Sequence, residues 1–289
     1  MDTVLEVHIP GYVRKGFQMK EIEFSLEKGY LAALFGINGA GKTTLLSLLS
    51  GALSLPKGCE VKLSGYSLVT QGKEAKDRLG FVFDECPFEG GMSPQLVGEV
   101  FGRYYSGFEP EKYRKYLERF EIPKKKAIKK LSKGMTMKFQ LAFALSHHAE
   151  LILMDEPTAS LDPVFREEFQ EIVTEVLSEE ECGMLISSQL VSELEPVADY
   201  TLLLHAGEQY YFGSTEQLLD KFRLVRGRKE LFPYIKSKII ATRQKEYSEE
   251  ALIYRKDEPF RLELECVRPK VEDLMYYLKS GAIRKEMLK

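Results

Sequence analysis

The sequence lacks the features that mark disulfide-bonded, zinc-bound or membrane-spanning chains. Its four cysteines, Cys59, Cys86, Cys182 and Cys266, include no Cys-x-x-Cys pair. Neither a disulfide framework nor a zinc site is suggested, and a reduced, cytosolic setting is the expectation. The longest apolar runs, such as residues 31–35 and 151–154, fall far short of the roughly 20 residues a bilayer-crossing helix needs. Any work at a membrane therefore calls for a partner chain. Residues 1–10 carry acidic side chains and no long apolar stretch, which speaks against a secretory signal. No internal repeat and no low-complexity linker is found. The run of five lysines within residues 124–130 marks an exposed connection.

At 289 residues the chain is long enough for one large domain, or a large and a small one, around a buried core. The net charge of -3 is unevenly spread: residues 221–289 hold 18 Lys and Arg against 11 Asp and Glu, net +7, which leaves -10 on residues 1–220. A basic tail can approach phosphate-rich surfaces, lipid or nucleic acid, or it can be a solvated face with no ligand. The shift predicts a boundary near residue 221, with residues 1–220 as the main domain and 221–289 as a small accessory region.

Short apolar runs alternate with longer amphipathic stretches, which predicts an α/β domain with a largely parallel sheet. Residues 30–35 read as a buried strand that runs into a glycine-rich turn. Residues 43–50 then read as a helix stopped at Gly51, a residue suited to a left-handed cap. Helical spacing over residues 93–120, around Val97, Val100, Phe101, Tyr104 and Tyr105, predicts an inserted helical subdomain at about 86–135. Apolar strands at 151–154 and 184–188 flank a helix at 165–177. Beyond Phe222, alternation at 262–267 and helical spacing at 271–278 predict a small α+β appendage.

Gly36, Ile37, Asn38, Gly39, Ala40, Gly41, Lys42 and Thr43, followed by Thr44, match G-x-x-x-x-G-K-[ST] between a strand and a helix. The glycines let backbone N–H groups converge on a β-phosphate, and the helix N-terminus adds its dipole. Lys42 is expected to reach the β- and γ-phosphates, and the Thr43 hydroxyl to hold magnesium. The apolar run Leu151, Ile152, Leu153, Met154 delivers Asp155 and Glu156 at its C-terminal end, where open α/β sheets place ligands. Asp155 is expected to bind the magnesium through water and Glu156 to polarise the attacking water.

With Leu131, Ser132, Lys133, Gly134 and Met135 placed 24 residues before Asp155, the chain resembles the ATP-binding-cassette ATPases over about residues 1–215. These five residues resemble that family's signature Leu-Ser-Gly-Gly-Gln. The resemblance implies a P-loop nucleotide-binding domain with an inserted helical subdomain. It further implies an ATP-hydrolysing subunit that energises a separate transmembrane permease. Cofactors would be ATP and magnesium, and a second nucleotide-binding domain would join head to tail with two ATP molecules between the pair. Ser132 and Gly134 would contact the γ-phosphate held by the opposite subunit. Thr158 to Asp162 resembles the family's dimer-crossing loop, and Tyr12, with Phe17 as competitor, stands where an aromatic residue usually stacks on adenine.

Two positions depart from the family. Asp84, followed by Glu85, stands where a glutamine usually touches magnesium. A carboxylate can still approach the metal but cannot donate as an amide does. Gln189 stands where a histidine usually contacts the γ-phosphate, and a neutral amide can donate to an oxygen but carries neither proton nor charge. Slow hydrolysis, or hydrolysis that needs a partner with an intact site, is the expectation. Lys133 and Met135, with Lys138 and the apolar residues 141–145, resemble a bacterial exporter branch whose ATPase and membrane subunit are separate chains. The site would lie on the inner face of the cell membrane, held there by the permease. Two alternatives are an ATP-gated clamp on nucleic acid or ribosomes and a catalytically weak member of a heterodimer. Nucleic acid is not the expected partner, because the chain has neither a second cassette nor a coiled-coil insertion.

Overall fold

The strands read as continuous apolar runs are buried at every position in the computed structural model, which describes residues 2–158, 163–179, 182–244, 249–258 and 263–288. Burial on both faces is the mark of a parallel sheet covered on two sides. In chain order its strands are β1 (Leu31–Phe35), β2 (Leu79–Val82), β3 (Leu151–Asp155), β4 (Gly183–Ser188), β5 (Tyr200–His205) and β6 (Glu208–Ser214). The described residues arrange them as β6-β5-β1-β4-β3-β2. All neighbours run parallel except the β5–β6 hairpin.

Alternation along each strand divides the core in two. Leu31, Ala33, Phe35, Ile152 and Met154 face one cluster, with Phe139 and Phe143 of α2 (Lys133–Leu145) and Phe169 of α3 (Pro163–Glu179). Ala32, Leu34, Leu151 and Leu153 face the other, which holds Leu45, Leu46, Leu48 and Leu49 of α1 (Lys42–Leu49). That second face is closed by an antiparallel sheet, Ile22–Glu27, Thr3–Ile9, Glu60–Leu63 and Tyr66–Ser67. A two-stranded ribbon, Tyr12–Arg14 and Phe17–Met19, leads from it towards the loop before α1.

Between β2 and α2 lie the helices Pro94–Phe101 and Pro110–Arg119, joined through a 3₁₀ turn at Gly102–Tyr104. The Ser93 side chain accepts from Leu96 N–H and proline follows at the first helical position, a start signal that fixes this boundary. The Lys133–Leu145 helix begins inside the range expected for the insertion and runs on to pack on β2.

Residues after β6 build a further antiparallel sheet, Ile239–Gln244, Glu249–Tyr254, Phe222–Gly227 and Glu265–Val267. It is followed by a helix, α5 (Val271–Lys279). The strand expected at 262–267 starts at Glu265, and residue 262 lies outside the described residues. This region is not loosely appended: Phe222, Leu224, Val271, Leu274 and Tyr277 belong to the same buried cluster as Phe35 and Met154. The short helix α4 (Val191–Leu194), after β4, packs directly on α5.

Candidate nucleotide site

The loop between β1 and α1 is shaped by what crowds it. Gly41 caps α1 at φ 107°, and a Cβ there would sit 2.7 Å from Cζ of Phe17. A left-handed residue this close to a ring has to be glycine. No side chain caps α1 and its first turn holds no acidic residue, so its N-terminal N–H groups face outward as an anion site requires. Gly36 and Ala40 are buried, whereas Asn38, Gly39 and Thr43 are exposed and Thr44 half-buried. The hairpin turn between β5 and β6 clamps the loop from below: Gly207 N–H donates to the Ala40 carbonyl at 3.1 Å, and its own carbonyl accepts from Lys20 N–H at 2.7 Å.

Lys42 leads from α1 back over the loop. Its Nζ donates to the Gly36 carbonyl at 2.8 Å and lies 3.2 Å from Glu156 Oε1, both side chains largely buried. Asp155 and Glu156 stand side by side at the end of β3. Ser187 Oγ, fully buried on β4, donates to Asp155 Oδ1 at 2.7 Å and accepts from Glu156 N–H at 2.9 Å. One hydroxyl thus fixes both acidic positions. Glu156 has φ 47°, a left-handed conformation that costs a non-glycine residue about 1 kcal/mol and persists where the surroundings enforce it. Its other oxygen, Oε2, accepts from Gln189 N–H at 3.0 Å. Lys42, Asp155, Glu156 and Gln189, separated by up to 147 positions in the sequence, therefore converge on one point.

Asp84 lies across a cleft of about 440 Å³ that Glu156, Lys133 and Gln140 also line. Its carboxylate pairs with Lys133 at 3.1 Å, both side chains about half exposed. Asp84 thus faces Lys133, which stands at the third position of the signature where the family has glycine. Buried Gln140 holds the backbone that presents Asp84: its Oε1 accepts from Phe83 N–H at 3.1 Å and its Nε2 donates to the Phe83 carbonyl at 3.0 Å. Ser132 is exposed and caps α2, its Oγ accepting from Met135 N–H at 3.2 Å, with Gly134 half-buried beside it. Of the two aromatic candidates, Phe17 touches the loop at Gly41; Tyr12 lies on the paired strand, half-buried. Thr158 is buried, whereas Ala159, Ser160, Leu161 and Asp162 lie outside the described residues.

Ser187, Gln140 and Glu193 escaped the sequence reading. The signal for Ser187 was a pair of hydroxyls closing an otherwise apolar strand. Buried Glu193 accepts from Thr158 Oγ1, and its Oε1 lies 3.0 Å from Arg166 Nε. Burial pushes its carboxyl above the usual range, against the Thr158 hydrogen bond and the Arg166 charge, which pull it down. Among the described residues, His8, Glu21 and Glu23 bring one potential ligand atom each within 4.8 Å of one another. They sit on and beside the antiparallel sheet, on elements that contribute nothing to the convergence at Glu156.

The chain matches the family described as ABC transporter over residues 19–159. It is 31% identical over 214 residues to the ABC transporter ATP-binding protein NatA of Bacillus subtilis (strain 168), a match spanning 71% of this chain and 85% of NatA. It is likewise 31% identical over 216 residues to the lantibiotic transport ATP-binding protein SrtF of Streptococcus pyogenes, spanning 71% of this chain and 89% of SrtF. A solved structure described as the ATP binding subunit of an ABC transporter superposes with a TM-score of 0.67 at 22% identity, covering 74% of this chain and 91% of that one.

Proposed function

Since the chain belongs to the ATP-binding subunits of ABC transporters, we propose that the convergence of Lys42, Asp155, Glu156 and Gln189 is its ATP-hydrolysing centre. The observation that carries this reading is Glu156, held between Lys42 and the Gln189 N–H at the end of β3. The carboxylate there can take a proton from water aimed at a phosphate gathered by the α1 N-terminus. Lys42 already faces that place, and exchanging Glu156 for phosphate oxygens keeps its charge paired. Gln189 follows Ser188 at the same edge and can donate its amide to a phosphate oxygen, though it carries no proton.

Thr43 and Asp155 offer oxygen donors, which suits magnesium. They would hold the ion, and Asp84, freed from Lys133, would offer a further oxygen donor. The ion supplies charge neutralisation between phosphates. Phe17, beside Gly41, is the better placed of the two aromatics to meet a base, and Tyr12 the second. Ser132 and Gly134 serve the ATP of a second subunit.

Residues 1–220 form the nucleotide-binding unit with its helical insertion, and 221–289 the accessory region. No described helix is long and apolar enough to cross a membrane; in this reading a separate permease supplies the transport path and the membrane location. SrtF is by its name a transport protein for a lantibiotic, and the exporter reading of this chain rests on Lys133, Met135 and Lys138. Purified with its permease, the wild-type chain is expected to hydrolyse ATP faster than alone. Glu156→Gln should lower kcat about 100-fold with ATP still bound, and Gln189→His should raise the basal rate. ATP binding without turnover in every preparation contradicts the reading.

A further inference from the structure

The segment that follows Gln189 is fastened on two sides. Glu193 and Glu195 lie two residues apart on one helical turn, so at 3.6 residues per turn they point to opposite sides. Towards the site, Glu193 accepts from Thr158 Oγ1, pairs with Arg166 at 3.0 Å, and through its carbonyl accepts from Gln170 Nε2 at 2.5 Å. Towards the C-terminal region, Glu195 Oε2 accepts from Val271 N–H, the first residue of α5, at 2.7 Å. Val191 and Leu194 share the buried cluster of Val271 and Leu274. At the head of the same segment, Gln189 N–H binds Glu156.

A carboxylate 5% exposed, as Glu193 is, is a costly way to fill a core, and losing one partner leaves a buried charge unpaired. Its partners belong to the loop leaving Glu156 and to α3, which that loop enters. We propose that Glu193 and Glu195 are positioning residues that make the C-terminal region a brace on the catalytic edge. The seating of α5, held by Glu195, sets where Glu193 holds Thr158 and where Gln189 meets Glu156. The proposal rests on the reading of Glu156 as the water-polarising group.

The test uses the full-length chain with Glu195→Ala, Glu195→Gln, Glu193→Gln and the double variant Glu193→Gln/Glu195→Ala. Amide hydrogen exchange and steady-state ATP turnover are measured on each. Glu195→Ala is expected to speed exchange about 5-fold or more in peptides covering residues 187–194 and 155–158, as well as 271–279. It should lower kcat about 5- to 10-fold with KM for ATP changed less than about 2-fold. Glu195→Gln, whose amide oxygen still accepts the Val271 N–H, should restore most of both. The double variant should lose less than the product of the single losses, because the two residues act along one path.

Exchange that rises in 271–279 alone, an unaltered kcat, or multiplicative losses in the double variant each overturn the brace. A wild-type chain with no turnover even when purified with its permease would instead contradict the role of Glu156. The exchange measurement judges the brace without it.

Discussion

His147 is a residue whose chemistry follows from burial alone. It is 2% exposed, stacks on Tyr105 with ring centres 4.0 Å apart, and its Nε2 lies 3.2 Å from the Leu79 carbonyl. Burial pushes its pKa down from 6.5 to about 4, more than the Leu79 carbonyl can offset. A folded pKa below the unfolded one means that the unfolded chain binds the extra proton first. The stability His147 contributes is therefore present in full above about pH 6.5 and is lost as pH falls towards 4. The difference amounts to about 3 kcal/mol. Denaturant unfolding at pH 7.5 and 5.0 should show a smaller acid loss for His147→Phe than for wild type; equal losses would contradict the assignment. None of this was visible in the sequence, where His147 and His148 differ in nothing, yet the second is exposed beside Glu109.

Among the elements, the strand–loop–helix at residues 31–49 was legible because three local signals agree there: a short continuous apolar run, a glycine-rich turn and a helix stopped at Gly51. The same holds for β3 and its two carboxylates. The hairpin turn under the loop was not legible, since its role depends on a contact between residues 167 positions apart, Ala40 and Gly207. Nor was most of the antiparallel sheet at residues 3–67, whose half-exposed strands carry a weaker signal than buried ones. A Cβ at Gly207, which has φ 75°, would lie 2.0 Å from the Gln18 carbonyl oxygen. Gly207→Ala is expected to cost about 2 kcal/mol or more in stability. It should also weaken ATP binding, because the turn anchors Ala40. Calorimetric unfolding together with an ATP titration checks both, and wild-type affinity in a destabilised variant would separate the turn from the site.

For the molecule as a whole, the sequence showed which residues could handle a phosphate but not how they are held. Ser187, Gln140 and Glu193 are ordinary polar residues in the chain. They become structural ties only when β3, β4, α2 and α4 come together. The compositional shift near residue 221 pointed to an accessory region, but a shift in charge says nothing of packing, and the shared core reaches across it. The Asp84–Lys133 pair is a further product of assembly: two departures from the family pattern, 49 residues apart, meet at the edge of one cleft. As an exposed pair it adds about 1 kcal/mol at most, so its effect lies in orientation rather than stability.

We propose that this site closes on ATP against a second nucleotide-binding unit, which a second copy of the chain can supply, and is opened by hydrolysis at Glu156. The most direct measurement is sedimentation of the Glu156→Gln chain with and without ATP, with nucleotide content determined in each species. The account predicts a monomer without ATP and, with it, a dimer holding two ATP molecules per pair, which Lys42→Ala abolishes. A Glu156→Gln chain that binds ATP and stays monomeric, or that dimerises equally without nucleotide, would contradict it.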